Sequence, residues 1–451
     1  MKLASLFLIT ILSAAVLPPA RAADPPPQRG PIDLSLKRAV EIALLPEGNT
    51  NVQLSGEALK QAKLRALEAR AALLPDLEGA FIDRSQTINL AAQGLTSIAL
   101  PVPGFAFPRF VGPFSTADAR VSVQQSVFDF ASIRRFQASK AGASAATQDF
   151  DSTQEKVAAD VARAYLAAVR ADADVDSANA NVTLSEAVLT QAENQKKAGT
   201  GTGIEVTRAK VQLANDRQHL LVAENARRSA HLELLRAMDT PLETEVRLTD
   251  KLGYVPVDAV TLEQAKAQAL QARPDLKAQL QREENARLSA SAVKMERMPS
   301  VAAFGDYGAS GASLDNSLPT RTYGISVKVP LFDGGRRDAR RTEAASQYRS
   351  EQVRTNDLRQ QIELDVRLAL DALRSAQDQV QVAKDGLDLS DSELTQARRR
   401  YDAGVANSLE VTDAQTRLER ARDNQTQALY NYNVARIDLA QAMGNMRRSI
   451  P

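Results

Sequence analysis

Proline placement constrains this chain more than any other feature. All 19 prolines avoid residues 114–240 and 331–450. Proline disrupts a helix interior, because its ring clashes with the preceding turn and removes a donor. Both windows are therefore free to form continuous helix. Inside them only Gly142 and Gly386 stand away from predicted turns. The residues are rich in Ala, Leu, Gln, Glu and Arg, all strong helix formers. Aromatic residues make up 4% of the chain and Trp is absent, which leaves little material for a thick globular core.

The two windows are copies of one another. At an offset of 205, Gln191-Ala192 meets Gln396-Ala397, and Ala198-Gly199 meets Ala403-Gly404. Glu205-Val206-Thr207 meets Glu410-Val411-Thr412, and Ala237-Met238 meets Ala442-Met443. Upstream the offset is 204, with Val121-Ser122-Val123 against Ile325-Ser326-Val327 and Phe128-Asp129 against Phe332-Asp333. At Leu74-Pro75 and Met298-Pro299 it is 224. The first copy thus carries about 20 extra residues between Leu74 and Val121, and such long self-similarity indicates a duplicated unit. We divide the chain into an export signal (1–22), a first repeat (23–240) and a second repeat (241–451).

Each repeat is expected to hold two helices, over 132–198 and 205–238, then 336–403 and 409–443. Apolar positions recur every seven residues: Val366, Leu373, Val380, Leu387, Leu394 and Tyr401 form one column. Ile362, Ala369, Ala376, Ala383, Ser390 and Ala397 form a smaller one. Val161, Ala168, Val175, Val182 and Leu189, beside Val157, Ala164, Ala171, Ala178 and Ser185, repeat the pattern. The heptad period implies left-handed supercoiling, so each pair reads as an antiparallel coiled coil. Gly199 and Gly404 fit left-handed helix ends. Thr202-x-x-Glu205 and Asn407-x-x-Glu410 fit capping boxes. Glycines 199, 201 and 203 follow a helix rather than a strand, and so do not make a nucleotide loop.

Strands are expected over 76–90, 117–128, 300–311 and 321–332. Alternation is clear where Ala119, Val121, Val123 and Val127 interleave with Arg120, Ser122, Gln124 and Ser126. It is as clear at Tyr323, Ile325, Val327, Val329 and Leu331. Strands of about 9–11 residues with one apolar face suit a membrane barrel, although a soluble sandwich edge alternates in the same way. Lys2, the apolar run Leu3–Leu17 and Ala20-Arg21-Ala22 read as a secretory signal. Open strand edges are not tolerated in lipid, and membrane barrels need about eight strands, so four per chain must be shared among copies. Phe105, Phe107, Phe110, Phe114, Tyr307 and Tyr323 are candidates for an aromatic girdle.

Composition excludes several functions. With no cysteine there are no disulfides, thiol catalysis or lipidation through Cys, so the expected membrane anchor is the barrel. A net charge of +1 exerts no general pull on nucleic acid. His219 and His231 are the only histidines, and no nucleophile–base constellation, metal cluster or cofactor loop is evident. The chain does not read as an enzyme, and the rods by themselves are compatible with a periplasmic coiled-coil spacer or adhesin.

Three motifs together resemble the TolC family of outer-membrane efflux channels. They are Pro330-Leu331-Phe332-Asp333-Gly334-Gly335-Arg336, Arg273-Pro274-Asp275-Leu276, and Tyr401-Asp402-Ala403-Gly404 through Ser408-Leu409-Glu410-Val411. The resemblance covers essentially the whole mature chain. It implies a mainly α fold with a small β part. Three copies would form a twelve-stranded outer-membrane β-barrel continued by a twelve-helix periplasmic tunnel, with a mixed belt at residues 31–74 and 241–298. It further implies a passive duct whose tip docks onto a periplasmic adaptor and an inner-membrane pump through the turns at Gly199, Gly203, Gly404 and Ser408. Glu205, Tyr401, Glu410 and Asp413 stand at the family's gate positions. Ala406 stands where the best-known member has an arginine, and Arg208, the counterpart of Asp413, is the expected substitute. Capping for Glu205 and Glu410, core packing for Tyr401 and simple exposure for Asp413 are also compatible with the residues. Asp129 and Asp333 read as helix caps, with Gly334-Gly335 allowing strand to turn into helix.

Overall fold

The computed structural model describes residues 32–94, 107–257 and 260–449. The export signal and Phe105 lie outside these residues. The longest elements are α3 (Phe130–Lys197) and α7 (Arg336–Asp402), of 68 and 67 residues. At 1.5 Å per residue each is about 100 Å long. Each turns back into a 35-residue helix, α4 (Gly203–Ala237) or α8 (Ser408–Ala442). Small and large columns meet inside the hairpins: Val161, Ala168, Ile362 and Val366 are almost fully buried.

The strands are β2 (Asp76–Asn89), β3 (Phe110–Phe128), β5 (Ser300–Gly311) and β6 (Leu318–Lys328). They form one antiparallel sheet in the order β2-β3-β5-β6, so β3 and β5 join the two halves of the chain. β3 begins at Phe110 rather than 117, because Phe110 and Val111 continue the pairing with Asn89 and Ile88 beyond a bulge. β6 begins three residues before the expected position and ends at Lys328, short of Pro330. Its Pro319 is tolerable because β6 is an edge strand. Most of the extra residues of the first copy lie in the β2–β3 connection, 90–109 against 312–317 in the second, and the rest lengthen the strands.

Asp129 caps α3 by accepting the Ala131 N–H at 2.9 Å. In the second half Gly334 and Gly335 take φ of +71° and +85°, and Asp333 accepts the Arg337 N–H at 3.2 Å from two residues further back. The strand-to-helix step is thus Asp129 alone in the first copy and residues 329–335 in the second.

Around the middle of the rods lies a belt. Short strands β1 (Ile32–Leu34) and β4 (Val246–Leu248) pair in parallel. Helices α1 (Leu36–Ala43), α5 (Leu262–Ala272) and α9 (Met446–Ser449) pack there against the rods, while α2 (Thr50–Ala71) and α6 (Pro274–Met295) run along the sheet-side stretches of α3 and α7. Tyr165 is fully buried there, its hydroxyl within hydrogen-bond reach of Leu34 O and Asp250 Oδ2, both at 2.9 Å. Burial, together with the Asp250 hydrogen bond, holds its phenol above the ordinary range. The Arg273-Pro274-Asp275-Leu276 motif is a joint: Arg273 grips Asp275 through two nitrogens and reaches Asp365 on α7 at 2.9 Å.

Candidate functional site: the sheet wall and the helical tip

Antiparallel partners share a face. The register therefore sorts the sheet into two surfaces. One carries Leu77, Phe81, Val121, Val123, Val301, Tyr307, Tyr323, Ile325 and Val327, with Asp83 and Arg321 as its charged members toward the strand ends far from the helices. Tyr323 is 80% exposed, Ile325 74% and Tyr307 67%, so no described residue covers them. The other carries Glu78, Arg84, Asp118, Arg120, Ser122, Gln124, Asp306, Ser310, Thr322 and Ser326. Phe114 pairs with Gln86 and belongs to the polar surface, which removes it from the expected girdle. A strand's parity places a side chain, and parity over 110–128 is legible only once the register is known. No helix among the described residues is long and apolar enough to cross a membrane.

At the far end of the rods the hairpin turns are alike. Gly199 and Gly404 have φ of +75° and +72°. The third residue beyond each helix, Thr200 or Val405, donates its N–H back to Gln195 O or Arg400 O at 3.0 Å. Gly203 and Ser408 are the first residues of α4 and α8. Thr202 and Glu205 form the expected capping box, with Thr202 N–H donating to Glu205 Oε2 at 2.8 Å. The second box is only half made. Asn407 Oδ1 accepts the Glu410 N–H at 3.2 Å, but the Glu410 carboxylate turns to Arg400 at 3.3 Å. The reason is local: Arg400 is present in the second hairpin, whereas its counterpart in the first is Gln195.

The two hairpins touch near the tip through an apolar cluster. Val188, Ala192, Val206 and Ala209 of the first meet Leu394, Ala397, Tyr401, Val411, Ala414 and Leu418 of the second. Tyr401 is 5% exposed, and its hydroxyl donates to Gln195 Oε1. Burial raises its phenol above the ordinary range, with the Glu205 carboxylate adding to the effect. Gln191 Nε2 donates to Asp402 Oδ1 at 2.6 Å. Gln191, Gln195 and Asp402 escaped sequence reading because each pairs across the two repeats. Arg208 and Asp413 are exposed, and neither has a hydrogen bond or ion pair among the described residues. Glu205, Tyr401 and Glu410 thus stand in one tip, while Arg208 and Asp413 face outward from the protomer. No group of three potential metal ligands occurs among the described residues.

A family model for the outer membrane efflux protein matches residues 47–240 and 266–445. The chain belongs to this family. Among curated relatives, this outer membrane efflux protein is 23% identical to the alkaline protease secretion protein AprF of Pseudomonas aeruginosa, over 70% of this chain and 67% of that one. It is 25% identical to the toluene efflux pump outer membrane protein TtgF of Pseudomonas putida, over 80% and 76%. Its fold is similar to the Campylobacter jejuni CmeC outer membrane channel, with a TM-score of 0.77 at 16% identity over 91% and 86%. The Vibrio cholerae outer membrane protein VceC gives 0.76 at 18% identity over 91% and 96%. The TolC-family expectation agrees with these findings: the protein is an outer-membrane channel serving efflux or secretion.

Proposed function

We propose that three copies of this chain close one twelve-stranded barrel, from which twelve helices continue as a tunnel, and that the assembly is the passive exit duct of a tripartite pump or type I secretion system. The observation that carries this is the sheet: one bare apolar face, one polar face, and two unpaired edges, β2 and β6. Such an apolar surface on a chain none of whose described helices can span a membrane suits lipid contact. Edges in lipid must be paired, so β6 of one copy would meet β2 of the next. Two copies would give eight strands, an interior filled by side chains; three give the smallest closed barrel of these units with a lumen. The rods support the same assembly. α4 exposes Ile204, Val211 and Leu232 at multiples of seven, and α7 exposes Leu368, Val382 and Leu389 likewise. These are unpartnered coiled-coil columns for a neighbouring copy.

On this reading the chain is two copies of one unit, 23–240 and 241–451. The tip turns at Gly199, Gly203, Gly404 and Ser408 meet an adaptor protein, and the pump behind it supplies the energy. Relatives of similar distance serve protease secretion and toluene efflux, which supports assigning cargo choice to the pump and adaptor. Glu205, Glu410 and Asp413 line the periplasmic entrance, and Tyr401, buried between the two hairpins of one copy, packs behind them. Arg208 substitutes for the arginine missing at Ala406 by pairing with an acidic residue of a neighbouring hairpin. Heat-resistant trimers in detergent-extracted outer membranes, conducting in planar bilayers, are expected. Recovery from the soluble periplasm would sink the proposal. Arg208→Ala should raise single-channel conductance, and an unchanged value would remove Arg208 from the gate.

A further inference from the structure

The polar face of the sheet holds one charge cluster built from both halves of the chain. Arg120 on β3 donates from Nε to Asp118 Oδ1 at 2.7 Å and from Nη2 to Asp118 Oδ2. Its Nη1 reaches Asp306 Oδ1 on β5 at 3.1 Å. Bidentate pairing of this kind fixes the guanidinium in direction as well as place. The three side chains are 34%, 22% and 20% exposed, so they are partly shielded from solvent. Space for the arrangement is provided by Gly308, the residue opposite Arg120. A Cβ there would stand 2.4 Å from the Arg120 Cβ. Ser122 and Thr322 flank Asp306 in register and carry no charge.

We infer that Arg120 is a specificity-determining residue of the duct: it cancels one carboxylate of the Asp118–Asp306 pair and so sets the charge of the membrane section. This rests on the reading that the polar face lines a closed barrel. Asp76, Glu78, Asp118 and Asp306 on that face stand against Arg84, Arg120 and Lys328, which leaves one negative charge per copy. A ring of three such copies favours cations mildly. Without Arg120 the balance doubles, and the paired carboxylates are left without their cation. A lumen wall of one sign concentrates counter-ions, most strongly multivalent ones.

The test uses purified full-length trimers in planar bilayers, with hexamminecobalt(III) added on the barrel side or on the tunnel side. In Arg120→Gln, block from the barrel side should strengthen about tenfold, because multivalent attraction scales with the wall charge. Block from the tunnel side should stay unchanged. Asp118→Asn with Asp306→Asn should abolish barrel-side block and move the reversal potential in a salt gradient toward anions. Arg120→Lys retains the charge and should keep wild-type selectivity, which a purely structural role for the guanidinium fork would not require. Conducting Arg120→Gln channels with unaltered block and reversal potential overturn the inference. If Arg120→Gln does not assemble, the double asparagine variant decides: no shift toward anions overturns it. Failure of the unsubstituted trimer to conduct would instead overturn the duct reading itself.

Discussion

The two repeats end their return helices at equivalent positions, Asp239 and Gly444, and both adopt left-handed backbone, with φ of +54° and +70°. In the first repeat the site is open enough for a side chain, and Asp239 accepts the Thr50 hydroxyl at 3.2 Å. In the second, the backbone of Arg273 lies against Gly444, where a Cβ would approach its N and Cα to 2.8 Å. The tips differ in the same manner. Glu205 closes a capping box, whereas Glu410 caps with its backbone alone and directs its carboxylate to Arg400. Duplication preserved the backbone path and the buried columns. What lies beside each copy decided the residues on the outside, and the two copies have different neighbours because α2 packs against α3, whereas α6 packs against both α3 and α7.

The sharpest way to break this comparison is to exchange the helix ends. Gly444→Asp should cost about 3 kcal/mol, from left-handed strain and a forced contact together. Asp239→Gly should stay within about 1 kcal/mol of the parent. Thermal loss of helical circular dichroism at fixed protein concentration checks both, and equal losses would mean the two ends are packed alike. Next in size is a pair within one column. Ala376→Leu, at a buried position, should cost about 1–3 kcal/mol by overpacking, while Ala383→Leu, half-buried, should change little. An equal loss at Ala383 would place a neighbouring copy against it.

Smaller effects come from polar groups. Tyr401→Phe removes the bond to Gln195 that joins the two tips and should cost about 1 kcal/mol. The Tyr401 phenol is raised by burial in the folded state, so its contribution is complete below the unfolded value of about 10 and declines as pH rises through the folded one. The phenylalanine variant should therefore lose less stability between neutral and alkaline pH than the parent. Asp174 is raised above the ordinary carboxylate value, mainly by burial, against the attraction of Arg170. Its protonated form is the one the fold prefers, so its contribution is present in acid and lost as pH rises. Asp174→Asn should accordingly be the more stable protein at pH 7, with the difference closing in acid. A variant less stable at pH 7 would show that the Arg170 pair outweighs burial.

Much of the architecture was legible in the residues because it depends on local rules. Proline exclusion, heptad columns and capping motifs act within a few turns of helix, and Gly199 and Gly404 announce their turns without reference to distant chain. The strands were harder. Alternation located β3 and β6 but misjudged their ends, since a strand stops where its partner stops, not where its own pattern fades. Phe114 was placed with the girdle for the same reason: aromatic character was visible, parity was not. At the tip, the identity of Tyr401 as a buried residue followed from its heptad position. Its partner Gln195 did not, because that contact crosses between hairpins separated by some two hundred residues.

By itself the sequence determined that this protein is two copies of a strand pair and a long helical hairpin, because periodicity and duplication are properties of the string of residues. Only the tertiary structure decided that β3 and β5 lie side by side, and hence that Arg120 of one half is held by Asp306 of the other. The physical reason is range. Helix propensity and capping are settled by neighbours in the chain, whereas sheet order, side-chain parity and charge pairing are settled by whichever distant segment supplies the missing hydrogen bonds.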